Sequence, residues 1–309
     1  MDFGAHLPLI DFGGHPYTLE HLVGYTKAAA ELGFSVLTVN DHLVFPVPWL
    51  DGPTALAAML SHSGDMTLAT TVALAAVRGP IPLAKALGAI DRLCGGRLIV
   101  AVGPGSSNQD YEAVGIAFEE RWARLDEAVR ALRALWQRDA DPFVGRFYST
   151  AGISLDPGPA HPSGPPIWIG SWGSEAGMRR VARLGDGWLA SAYNTTPELF
   201  GTAWERLGAQ LVERGRDAAA FPNAIATMWF YISDDRADTE RVLRERVMPV
   251  VHRPEELLRE RLPIGPAELF AEKLTRFARA GAQRVLIWPV ADEQQQLELF
   301  CDRVRPLVV

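Results

Sequence analysis

The chain has 309 residues, a formal net charge of −7 and a sequence pI near 5.6. That acidic balance argues against a nucleic-acid binder, which would present a basic face, and no apolar run approaches the length of a membrane span. The two cysteines, Cys94 and Cys301, are too few for a disulfide framework or a thiolate metal site and read as small buried hydrophobes.

The N-terminus, "MDFGAHLPL", has no basic stretch followed by a long apolar one, so no signal peptide is visible and a cytoplasmic location is expected. Phe3–Leu7 reads as the first strand. Thr18–Leu32 follows as a helix starting on a threonine cap, then Gly33 and a second strand, Ser35–Val39. "TVNDHLVFP" then places Asp41 and His42 directly after that strand, with Pro46 and Pro48 stiffening the next turn. Met66–Val72 and Arg97–Val102 are the next strands, the latter preceded by Gly95 and Gly96 as a helix stop. Arg121–Arg138 carries apolar residues at helical spacing, including Leu125, Val129, Leu132 and Leu135. Pro166–Ile169 and Gly187–Ser191 are strands on either side of a helix ending at Gly185. Pro197–Arg214 is a helix with Thr196 as cap and proline at its first position. Ala224–Tyr231 and Arg284–Val290 complete a set of eight strands, with Gly281 as the last helix stop.

Helix, glycine and short β-rich run, repeated, is the pattern of βα units on a parallel sheet. Eight such strands in a chain somewhat longer than ~250 residues predict an α/β fold, a (β/α)8 TIM barrel. The surplus falls in Asp139–Pro165 and Val251–Pro266, which read as loop insertions. A doubly wound sheet is the alternative, but no G-x-G-x-x-G follows the first strand.

In such a barrel the site is built after the C-terminal ends of the strands. That rule selects His6, Asp41 with His42, Thr71 with Val72, "VGPGSSNQDY", "WIGSWGSE", Tyr193 with Asn194, and Trp288. The two glycine- and serine-rich segments, through Gly103 and Gly105 and through Gly170 and Gly173 to Ser174, read together as a phosphate cradle. Small residues let backbone N–H groups approach an anion, and a helix N-terminus adds favourable partial charge. Either segment alone could equally be a tight turn. No H-x-H, H-E-x-x-H, G-x-S-x-G or Walker pattern occurs, so a hydrolytic metal site and a serine nucleophile have no sequence support.

The segments "AKALGAIDRLCGGRLIVAVGPG", "YEAVGIAFEERWARLDEAVRALRALW", "FVGRFYS", "PPIWIGSWG" and "ARLGDGWLAS" stand in an order and spacing that resembles the luciferase-like monooxygenase superfamily, in particular its branch of oxidoreductases that depend on coenzyme F420, a deazaflavin. The resemblance implies one luciferase-like (β/α)8 barrel domain over residues 1–309. It implies hydride transfer between coenzyme F420 and an organic substrate. The alternatives are an FMN-dependent monooxygenase using reduced flavin and oxygen, or a flavin-binding relative without turnover. Carried over by position, Asp41 and His42 border the ring, with His42 as a proton-transfer or hydrogen-bonding group that Asp41 orients, unless Asp41 bonds the ring edge itself. Thr71 and Val72 fall where the family often has a bulged, non-prolyl cis peptide. Gly103, Gly105 and Ser106 match its glycine loop, and Gly170, Ser171, Trp172, Gly173 and Ser174 its phosphate-binding turn. Asp110 falls where many members carry a glutamate near the reacting carbon, and is expected as a catalytic carboxylate, a loop carboxylate or a helix cap. Ser106 in place of an aromatic, Asp110 in place of glutamate and Tyr111 in place of phenylalanine depart from the family pattern, and the first two point to a roomier pocket. The partners expected are a small-molecule substrate and a second copy of the chain in a homodimer, with no nucleic acid, membrane or metal.

Overall fold

The computed structural model describes residues 1–13 and 17–309. Its strands are β1 (Asp2–His6), β2 (Val36–Val39), β3 (Thr67–Ala73), β4 (Leu98–Val102), β5 (Ile167–Gly170), β6 (Gly187–Ser191), β7 (Asn223–Ile232), β8 (Ile264–Gly265) and β9 (Arg284–Pro289). Every ladder between them is parallel. The order runs β1-β2-β3-β4-β5-β6-β7-β9 and back to β1, closing an eight-stranded barrel, while β8 pairs only with the end of β7. All eight strands expected from the sequence are barrel strands.

Local chemistry sets the joints. Thr18 Oγ1 accepts the His21 N–H at 3.2 Å, and Thr196 Oγ1 accepts that of Leu199 at 3.2 Å, capping the helices Leu19–Glu31 and Pro197–Val212. Gly33 and Gly281 hold the left-handed conformation expected of a helix stop, at φ 75° and 95°. Gly185 does not, lying at φ −90°. Its small size serves close approach instead, since a Cβ there would meet the Gly187 carbonyl at 2.9 Å and Ile169 at 3.0 Å. The insertion expected as loop over Val251–Pro266 contains the helix Glu255–Arg261 and strand β8. Leu258 and Leu262 bury against an apolar cluster with Trp229 and Trp288, so a loop reading missed a packed cover.

The barrel interior explains where space is left. Inward-facing Val36, Ala69, Ala101, Trp168, Leu189 and Leu286 fill its lower layer. One residue pair further up each strand, the β1–β9 side is filled by His6 stacked on Trp288, with ring centroids 3.5 Å apart. The β3–β7 side carries Thr71, Gly103, Gly170, Ser191 and Ala226, all small. A large pair on one side and small residues on the other leave an off-centre cavity at the C-terminal rim.

Candidate active site

That cavity measures about 350 Å³, within the usual range for a small-molecule site, and its lining runs from Asn40 to Thr227 around the ends of β2 to β7. Asp41, His42, Thr71, Val72, Gly103, Gly105, Ser106, Gly170, Ser171, Trp172 and Ser174 all border it. Gly173 sits in the same turn at φ 89°, its N–H turned onto Ser171 Oγ at 3.4 Å.

His42 stands on the wall with its Nδ1 2.7 Å from Asp110 Oδ2. Asp110 is fully buried behind it, and its other oxygen accepts the N–H groups of Leu43 and Val44 at 2.8 and 2.9 Å. With Oδ1 taken by those two donors, Oδ2 is the oxygen left to meet the imidazole, which it does through Nδ1. Asp110 meets the imidazole from behind and is not among the residues bordering the cavity. The contact with His42 expected of Asp41 is made by Asp110. Asp41, itself buried, gives both oxygens to the Arg78 guanidinium, at 2.7 Å from Nε and 2.6 Å from Nη2, and accepts the Leu74 N–H at 3.0 Å. Arg78 also bonds Asp51, the cap of the helix Gly52–Ala58. Both carboxylates push the Arg78 pKa above its ordinary value, against the desolvation that would lower it.

The floor is a β-bulge. The β3–β4 register advances two residues from Thr71 to Ala73 against one from Ala101 to Val102, and the Thr71–Val72 peptide within it is cis. Asn40 Oδ1 accepts the Val72 N–H at 3.2 Å, and Thr71 Oγ1 donates to the Val39 carbonyl at 3.1 Å, tying the bulge to the His42 loop. Glycine is required on either side. A Cβ on Gly103 would meet Val72 at 2.7 Å, and one on Gly170 would meet it at 2.9 Å. The Gly103 N–H is not free for an anion, because it donates to the Ala73 carbonyl at 3.2 Å; the residue acts by its size. Ser174 caps the helix Glu175–Leu184 through Gly177 N at 3.1 Å, and the first-turn N–H groups behind it face no intrahelical acceptor.

Residues not foreseen from the sequence also line the cavity. Arg121 brings a cation, its guanidinium lying 4.0 Å over the Phe118 ring, and Ser191 and Thr227 bring a hydroxyl pair on the far wall. Arg121 opens a helix whose run "EERWARLDE" looks like an ordinary solvated face, so no sequence signal marks it. Of the aromatics near the barrel mouth, Trp172 and Tyr193 line the cavity, with Trp172 55% exposed. Phe45 and Trp49 pack against His42 at 4.7 and 4.6 Å between ring centroids, and Trp288 is core. Burial pushes the Tyr193 hydroxyl above its ordinary pKa and drives His6 down to about 3, so His6 stays neutral.

Residues 3–252 match the family model described as luciferase-like monooxygenase. The chain belongs to this family. Among curated proteins it is 33% identical over 185 residues to an F420-dependent glucose-6-phosphate dehydrogenase of Intrasporangium calvum, covering 55% of this chain and 53% of that one. It is 28% identical over 231 residues to an F420-dependent hydroxymycolic acid dehydrogenase of Mycobacterium tuberculosis, covering 72% and 61%. The chain thus spans about half to three-fifths of the length of these relatives. An F420-dependent secondary alcohol dehydrogenase solved with an F420–acetone adduct shares the fold, with a TM-score of 0.86 at 18% identity over 100% of this chain and 99% of that one. The oxygenating constituent of 3,6-diketocamphane monooxygenase from Pseudomonas putida, solved with FMN, also shares it, at 0.77 and 16% over 100% and 99%. Among the described residues no helix is long and apolar enough to cross a membrane.

Proposed function

We propose that this protein is an oxidoreductase that moves a hydride between coenzyme F420 and an alcohol or its carbonyl counterpart. The observation that carries the reading is the His42–Asp110 pair on the cavity wall, an imidazole held through Nδ1; we take Nε2 as its proton-accepting nitrogen. The names of the curated relatives support the deazaflavin over FMN. The cavity fits such a coenzyme. Its volume suits a ring system, a Cβ on Gly103 or Gly170 would fill the floor, and the Ser174-capped helix N-terminus with Arg121 supplies anion-binding groups for a phosphoryl tail. Once bound, the deazaflavin supplies the carbon that takes up or releases the hydride.

The protein's own work is proton handling and alignment. In alcohol oxidation, His42 Nε2 takes the hydroxyl proton as the carbinol hydrogen leaves with its electron pair, and the carbonyl product forms. Asp110 fixes the tautomer that makes Nε2 the acceptor and stabilises the imidazolium. In the reverse direction His42 returns the proton to the carbonyl oxygen. Asp41, Thr71, Val72 and Asn40 shape the floor that would hold the ring. Gly105, Ser106, Ser171, Trp172 and Gly173 line or shape its approach, and Gly103 and Gly170 leave room for it. We read residues 1–309 as a single domain, acting in the cytoplasm as a homodimer; sedimentation of the purified chain tests the dimer.

Titrating the purified chain with coenzyme F420 and with FMN, followed by fluorescence, tests the cofactor. Tighter F420 binding is expected. Equal or tighter FMN binding would favour the monooxygenase reading and overturn this one.

A further inference from the structure

The wall opposite His42 carries a polar pair that the proton-handling chemistry leaves unused. Going round the barrel, β6 lies four strands from β2 and β7 four from β3, so Ser191 at the end of β6 and Thr227 on β7 face the His42 loop and the β3 bulge. Thr227 lies in a second bulge. Between Ile225 and Met228 the chain advances three residues while β9 advances two, from Val285 to Ile287. Thr227 adopts φ 55°, a left-handed conformation that a β-branched residue rarely takes. Such an outlier at a cavity wall is where a fold holds a side chain for a purpose.

The hydrogen bonds there run one way. Asn194 Nδ2 donates to Ser191 Oγ at 3.0 Å, Ser191 and Thr227 hydroxyls lie 2.8 Å apart, and Thr227 Oγ1 donates to the Ala226 carbonyl at 2.7 Å. With the Thr227 proton committed to Ala226, the Ser191 proton goes to Thr227. Each hydroxyl then retains one lone pair and no proton for the cavity. The pair is an acceptor station, suited to a ligand donor and unsuited to a carbonyl or an anion.

We infer that the substrate is an alcohol carrying a second donor, a hydroxyl or N–H, which Ser191 and Thr227 bind while the reacting hydroxyl meets His42. This rests on the alcohol-oxidation reading of the cavity and narrows it to bifunctional substrates. A buried acceptor left without its donor discriminates well against an analogue that lacks it.

The test uses the F420-loaded chain with cyclohexanol and cyclohexane-1,4-diol, in the wild type and in Ser191→Ala and Thr227→Val, the latter preserving shape. The wild type should favour the diol in kcat/KM by about tenfold or more, and each variant should lose that preference by roughly tenfold. Equal losses for both alcohols, or a weakened F420 dissociation constant in the variants, would make the pair a structural or cofactor contact and overturn the inference. If the wild type binds F420 but turns over neither alcohol, the oxidation reading fails by itself. Diol affinity, read from deazaflavin fluorescence, then decides the station. Diol binding tighter than cyclohexanol and weakened about tenfold by Thr227→Val keeps the station, whereas unchanged or undetectable diol binding removes it.

Discussion

Replacing Arg78 with methionine strips two donors from a carboxylate that water cannot reach. Asp41 is 1% exposed, and without Arg78 only the Leu74 N–H remains to it of the three bonds described above. Removing one partner of a buried ion pair costs about 3–5 kcal/mol. The Arg78 side chain is 19% exposed, so some solvent relief is available and the lower end, about 3 kcal/mol, is expected. Asp51, with a 40% exposed side chain, adds little to that loss. Adding Asp41→Asn removes the stranded charge while its amide oxygen still accepts from Leu74. The double variant should therefore recover at least about half of the loss. Urea unfolding of the wild type, both single variants and the double variant measures the cycle. Coenzyme affinity should follow it, because Asp41 and Asn40 anchor the floor. A cost below about 1 kcal/mol for Arg78→Met, or simple additivity in the double variant, would refute the idea that charge pairing holds the His42 loop in place.

Asp110→Asn keeps both backbone bonds but points an amide donor at His42 Nδ1, forcing the proton to Nε2; kcat should fall by about 10²–10⁴-fold with the fold intact by circular dichroism. His42→Asn, which bonds but does not titrate near neutrality, should lose a similar factor, and retained turnover would assign His42 to positioning alone. Gly170→Ala pushes a methyl to within 2.9 Å of Val72 on the cavity floor, so coenzyme affinity should drop by about tenfold while the melting temperature moves by only a few degrees. His6 has a folded-state pKa of about 3 against 6.5 unfolded, so acidification protonates the unfolded chain first. Stability from this group is full above pH 6.5 and falls by about 3 kcal/mol between pH 6.5 and pH 4, and His6→Phe should flatten that part of the urea-derived pH profile.

The barrel was legible because each strand is short, apolar and punctuated by a helix stop, a pattern that local chemistry enforces. Gly33 and Gly281 signal their turns by the conformation only glycine takes easily, whereas Gly185 signals nothing of the contact that needs it. The rule that strand ends build the site selected Asp41, His42, Thr71 and the two glycine loops, and these border the cavity. It could not rank Asp41 against Asp110 as the partner of His42, since a separation of 68 residues between the true partners leaves no trace in spacing. Arg78 and Arg121 were missed because both sit in helices, where charge usually means solvent. Thr227 was missed because a bulge shifts register, and register between distant strands is a property of the closed sheet.

The central claim is direct hydride transfer with the proton taken by His42. Cyclohexanol deuterated at the carbinol carbon, mixed with the F420-loaded chain without oxygen, tests it by mass spectrometry of the coenzyme. The account predicts that the deuterium appears on the reduced deazaflavin without exchange with water, and that Asp110→Asn slows its appearance by about 10²–10⁴-fold. Deuterium released to water, or oxidation only when oxygen is admitted, would contradict it.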